Sequence, residues 1–234
     1  WRLKKYPWTT VWVKGKYYRN KWLGKGLDLC NLIPVPSLGY LIEEFYTKRF
    51  ARRIDRDLYR RVRDAIDGKG EGTEIHSTGV AETNRLFGDG FIEFMRDFYE
   101  KIMTKVAELT TFALFTQGLS LIIFPEGTRG TQLGEGKTGI AQVALHTGKK
   151  VVPVGCNYSD RVYPDSLPFA RTGQIVYRIG KPLSIEDRLR PYRIDAPFTL
   201  LSRESQQRYK EQFEGATKVI MESINELLDP IYRR

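Results

Sequence analysis

Between Leu121 and Cys156 the chain passes from one short apolar run, LIIF (121–124), through KTGIAQVALHTG (137–148) to a second, VVPVGC (151–156). No other stretch constrains the fold as much. Both apolar runs are too short and too β-branched for helices and read as buried strands. The segment between them reads as a crossover helix, which predicts that the two strands are parallel. VWV (11–13) and QIVYRIG (174–180) read as further strands, and RFARRIDRD (49–57) as a short exposed one. Helical spacing is found in three more places. Leu38, Leu41, Ile42 and Phe45 form an amphipathic stripe entered through Pro34, Pro36 and Ser37. A second helix is expected over 58–66, and a third runs from Phe91 to about residue 117, ended by Gly118. DGKGEGTEIHSTG (67–79) reads as a loop from its glycines, and a last long helix is expected over about 203–228. Strands alternating with helices predict an α/β fold, a mixed and partly parallel central sheet flanked by helices. At 234 residues the expectation is a single domain, 1–234.

Composition narrows the class. Hydrophobic residues make up 41% and charged residues 28%, which argues against disorder as the main state. Cys30 and Cys156 form no disulfide framework and match no zinc spacing. Each is expected to be a small buried hydrophobe, consistent with a reducing compartment. No run of 18 apolar residues is present, so no spanning helix is expected. The net charge of +10 is lopsided: residues 1–63 hold sixteen Lys and Arg against five Asp and Glu. All four tryptophans, Trp1, Trp8, Trp12 and Trp22, lie in that same segment. A basic stretch interleaved with Trp and Tyr suits anionic headgroups at a membrane interface; nucleic acid and a merely solvated face are the other readings.

The sharpest local feature is FPEGTRG (124–130), directly after the apolar run. Gly127 permits a tight turn, Thr128 adds a hydroxyl, and Arg129 offers a planar donor fork suited to phosphate. Glu126 either holds that Arg or accepts from a substrate hydroxyl. The functional reading is a site gripping an anion at a strand end; the bland one is a surface turn with a local ion pair.

FPEGTR after a hydrophobic strand resembles the third sequence block of the glycerolipid acyltransferases, the lysophosphatidic acid acyltransferase family. Three other stretches are similar to that family in order. VWVKGKYY (11–18) resembles the strand and Lys that follow its catalytic motif. IPVPSLGYLIEEFYTKRFARRIDRD (33–57) resembles the second block, a Pro-containing Gly turn, a helix, and a strand ending in Asp-Arg. VVPVGCNY (151–158) resembles the fourth, centred on Pro153.

The resemblance implies an O-acyltransferase that moves a fatty acyl group from acyl-CoA or acyl-carrier protein to the hydroxyl of a lysophospholipid or glycerol phosphate. It implies no cofactor beyond that co-substrate and no metal. Lys14, Arg56 and Arg129 are the expected phosphate ligands; Glu126 and Gly127 shape the glycerol end, Thr128 is a further substrate-binding residue, and Pro153 fixes the pocket wall. The implied partner is an anionic membrane surface, with no nucleic-acid module recognisable in the basic segment. Two departures stand against the pattern. The family's catalytic block is H-x-x-x-x-D, but Ala81 takes the Asp place after His76 and Val151 after His146. The catalytic His and Asp are therefore expected before Trp1; the alternative is a non-catalytic acyltransferase-like subunit or lipid-binding scaffold in a larger assembly. The interval from IDR (54–56) to FPEG is also longer than the family's, which predicts a helical insertion over about 67–117, with His76 in a loop and His146 structural at a helix end.

Overall fold

The computed structural model describes residues 8–15, 30–164 and 170–234. The fold is α/β, and the chain divides into two compact units, Trp1–Ile122 and Ile123–Arg234.

In the first unit, strand β1 (Thr9–Lys14) lies between β2 (Leu32–Val35) and β3 (Ser120–Ile122). Both pairings are parallel, with Val11 opposite Leu32 and Thr9 opposite Ser120. Between β2 and β3 come four α-helices, α1 (Leu38–Phe50), α2 (Arg56–Asp67), α3 (Glu74–Phe87) and α4 (Phe91–Thr111), the last continued by a π-helical turn at Phe112–Thr116. The Ser37 hydroxyl caps α1 by accepting from the Tyr40 amide. Leu41, Ile42, Val62, Ile66, Ile92 and Met95 form the core that these helices share. Each such side chain, fully buried, contributes roughly 1.5–3 kcal/mol. A bidentate pair, Arg61 to Glu82 at 2.6 and 3.2 Å, ties α2 to α3.

Four local expectations are corrected. RFARRIDRD is no strand: α1 runs to Phe50, Ala51 closes it in the left-handed region, and the Asp55 carboxylate starts α2 by accepting from the amides of Asp57 and Leu58. The loop expected over 67–79 is only a turn, because the Thr73 hydroxyl accepts from the His76 amide and nucleates α3. His76 is thus in a first helical turn, its Nδ1 3.1 Å from the Lys69 carbonyl. The strand at LIIF stops at Ile122, because the Phe124 carbonyl already accepts from Gly127 in a turn, and Ile122 and Phe124 are exposed. Cys30 is exposed too, in the turn before β2, and Cys156 is half-buried.

In the second unit the helix predicted after FPEGTRG forms as α5 (Gly139–Thr147). Its inner face, Ala141, Ala144 and Leu145, packs with Phe213, Ala216 and Ile220. The next strand, β4 (Val154–Asn157), pairs antiparallel with β5 (Val176–Ile179), while the LIIF run contributes β3 to the other sheet, so the parallel pair of LIIF and VVPVGC that the crossover reading predicts is not formed. The apolar face of α5 is satisfied by a helical core, so nothing in that segment requires a parallel neighbour. After β4 comes the single turn α6 (Ser159–Val162). The helix expected over 203–228 is split into α7 (Arg203–Arg208) and α8 (Lys210–Asn225). Tyr209 leaves helical geometry where its ring meets Phe198 and Phe213, at 5.6 and 6.2 Å. Among the described residues no helix is long and apolar enough to cross a membrane.

Candidate functional site

The turn at the mouth of the second unit is built by four hydrogen bonds. The Gly127 amide donates to the Phe124 carbonyl at 3.0 Å, with Pro125 at the second turn position and Gly127 in the left-handed region at φ 66°. Pro there presets its φ, and Gly at 127 avoids the steric cost any Cβ incurs. The Lys137 amide donates to the Pro125 carbonyl at 2.7 Å, bringing the far end of the loop back to its start. Inside the loop, the Gly134 amide donates to Glu126 Oε1 at 2.6 Å. The Leu133 amide donates to the Tyr232 carbonyl at 2.9 Å, so the C-terminal tail braces the loop from outside.

Glu126 is therefore half-buried and closes the loop around itself. Thr128 and Arg129 are exposed at its rim. The Arg129 guanidinium donates to the Tyr163 carbonyl and lies 5.8 Å from the Tyr163 ring centroid. A carbonyl on one edge and an aromatic face beside it fix the plane of the fork. Pro153 is buried just before β4, and its carbonyl accepts from the Gly180 amide at 2.9 Å. Glu126, Gly127, Thr128 and Arg129 are thus brought together on one braced loop, and Pro153 is in the same unit. Lys14 and Arg56 belong to the other unit: Lys14 is exposed at the end of β1, and Arg56 is exposed as the first residue of α2.

The brace is itself anchored. Asn157, fully buried, donates to the Leu227 carbonyl at 3.3 Å and accepts from the Asp229 amide at 2.7 Å. Tyr232 donates to Asp160 at 2.8 Å, and Arg178 meets Asp229 at 2.8 Å. The Tyr158 hydroxyl and the Arg178 guanidinium together hold the Asp229 carboxyl below its ordinary pKa of 3.8. The tail packs so closely that a Cβ on Gly155 of β4 would come within 2.7 Å of the Leu227 backbone. Tyr163, Gly134, Asn157 and Tyr232 were not singled out from sequence. Their partners lie 34, 8, 72 and 72 residues away along the chain, and no local pattern marks such pairs.

Other chemistry-bearing groups are otherwise engaged. His146, in the last turn of α5, sits edge-on to Phe198 at 5.1 Å, and desolvation there pushes its pKa down. That favours the neutral ring over the charged form a helix C-terminus would favour. A cavity of about 500 Å³ in the first unit is lined by Asp57, Arg60, Arg61, Lys69 and His76 among others. Arg61 is already taken by Glu82, and Arg60 lies 3.8 Å from Asp57, so its charges are largely matched within the fold. Among the described residues no group of three or more His, Cys, Asp or Glu is placed to hold a metal ion.

The Acyltransferase family model matches residues 71–157. The matched range contains the whole FPEGTRG loop, α5, Pro153 and β4, and it also runs through α3 and α4. Lys14 and Arg56 fall outside it. Neither a curated protein nor a solved structure matches the chain.

Proposed function

From a chain that carries an acyltransferase-family match, consistent with the glycerolipid acyltransferases, we propose an O-acyltransferase that acylates a phosphate-bearing lysolipid or glycerol phosphate from an acyl thioester. The observation behind this reading is the FPEGTRG loop, which lies inside the matched range and presents an oriented Arg129 at its rim. Arg129 binds the acceptor phosphate, where a planar fork gives both charge and orientation. Glu126 holds the loop closed through Gly134 instead of contacting the acceptor directly. Lys14 and Arg56 are further candidate phosphate ligands, and their role rests on the resemblance alone.

In the reaction the acceptor hydroxyl oxygen attacks the thioester carbonyl carbon. The new C–O bond forms, the C–S bond breaks, and the thiol leaves with a proton. The hydroxyl proton passes to a general base, the role the family gives to the His of H-x-x-x-x-D. Acyl-CoA or acyl-carrier protein is the donor, and the acceptor is drawn from a membrane surface facing a reducing compartment. A non-catalytic relative is the second reading, favoured by one observation: neither His76 nor His146 has an Asp at that spacing. An acyl-transfer assay with a phosphorylated acceptor and its dephosphorylated counterpart separates the two. Transfer to the phosphorylated acceptor supports the enzyme; no transfer to either supports the scaffold.

A further inference from the structure

Tyr158 stands at φ 66°, in the left-handed region that a bulky aromatic residue rarely enters. Among the described residues of the second unit, Leu201 is the other non-glycine residue there, and it is buried. Tyr158 is only half-buried, so burial in a core does not account for its conformation. Its side chain is held by three groups. The Arg161 guanidinium lies 4.7 Å from its ring centroid. The Tyr232 ring meets it edge-on at 5.6 Å. The Tyr158 hydroxyl donates to the Asp229 carboxylate. Two of the three, Asp229 and Tyr232, belong to the C-terminal tail.

That conformation sets the turn that follows. Tyr158 joins β4 to α6, and its carbonyl accepts from the Arg161 amide at 3.3 Å. The Tyr163 amide closes the turn by donating to the Ser159 carbonyl at 2.8 Å. An extended Tyr158 would continue the line of β4 and carry α6 with it. Because α6 is a single turn, Tyr163 follows Tyr158 closely. Tyr163 is the residue whose carbonyl accepts from Arg129 and whose ring lies beside that guanidinium. A tyrosine that only packed against the tail would need no left-handed backbone, and Gly or Asn fills a plain left-handed turn at lower cost. Such strain persists where the surroundings over-determine it.

We propose that Tyr158 is a positioning residue for Arg129: held left-handed by Arg161, Asp229 and Tyr232, it aims α6 so that the Tyr163 carbonyl meets the guanidinium. The tail thereby acts on the rim of the FPEGTRG loop through Tyr158, in addition to the Leu133 bond that braces the loop from outside. The positioning rests on contacts within the second unit. Its consequence for the acceptor rests on the proposed phosphate role of Arg129.

The test reads Arg129 directly and requires no acyl transfer. In the isotope-labelled full chain, NMR measures rotation of the Arg129 guanidinium about its Nε–Cζ bond, the signal being assigned by its loss in Arg129→Lys. Losing one hydrogen bond of a charged group should speed that rotation about tenfold in Tyr158→Ala. Tyr158→Phe keeps both ring contacts and loses only the Asp229 contact, so it should speed rotation less. Tyr158→Gly adopts the left-handed backbone without strain. It should speed rotation as much as Tyr158→Ala while melting no lower, which separates positioning from unfolding. In steady-state transfer, Tyr158→Ala should raise KM for the phosphorylated acceptor about 3- to 10-fold with little change in kcat, and add nothing in an Arg129→Ala background. Wild-type rotation in both the Ala and Gly variants overturns the proposal, as does an equal KM rise from Tyr158→Ala in the Arg129→Ala background. Faster rotation in Tyr158→Ala, with KM unchanged by Arg129→Ala itself, upholds the positioning and removes the phosphate role of Arg129 instead.

Discussion

At the scale of single residues, Glu126 and Arg129 are neighbours in sequence with different tasks. Glu126 turns inward and holds the Gly134 amide at 2.6 Å; Arg129 stays at the rim, oriented by Tyr163. A carboxylate accepting from a half-buried amide is a charge-assisted bond, worth about 1.5–3 kcal/mol. Glu126→Ala should therefore lower stability by about that amount in a thermal or urea melt. Glu126→Gln keeps an acceptor oxygen and should lose less than half as much. Equal losses in the two variants would show that the charge, not the geometry of the bond, holds the loop. The motif itself was legible in the sequence because strand, Pro, Gly and Arg follow one another without a gap. The inward role of Glu126 was not, since its partner Gly134 is one of several glycines in a stretch with no periodicity.

At the scale of elements, the loop depends on the tail. Leu133 bonds to Tyr232, and the tail is clamped by Asn157 at the end of β4 and Asp160 in α6. Removing residues 230–234 should speed hydrogen exchange at the Leu133 and Gly134 amides while leaving the α5–α8 core, around Phe213 and Ile220, protected. Uniform loss of protection would mean that the tail supports the whole unit instead. Helices α1 and α4 were legible from their apolar stripes, and α2 and α5 were expected as helices over 58–66 and 137–148. Helix α3 was hidden because glycines at 68, 70 and 72 suggest a loop, while the cap that starts the helix is a single Thr73 hydroxyl. The antiparallel return of β4 onto β5 was hidden for another reason. A short β-branched run does not state its direction, and the crossover rule applies only when both flanking strands share a sheet.

At the scale of the molecule, charge is divided as sharply as structure. The basic excess lies in residues 1–63, and the acidic groups that matter to the second unit are few and placed. Asp229 is one of them. Its folded pKa is depressed by Tyr158 and Arg178, so its contribution is fully present above its ordinary value of 3.8 and is lost as pH falls through the lower folded value. Asp229→Asn should therefore lower stability near neutrality and flatten the stability profile below about pH 4. An unchanged acid slope would remove Asp229 from the account. The central claim is that the FPEGTRG loop holds the acceptor's phosphate through Arg129. The most direct test is steady-state acyl transfer by the intact protein and its Arg129→Ala variant, with phosphorylated and dephosphorylated acceptors compared. Loss of a charge-assisted contact predicts KM for the phosphorylated acceptor about 10- to 100-fold higher, with little change for the dephosphorylated one. An unchanged KM for the phosphorylated acceptor would contradict the claim.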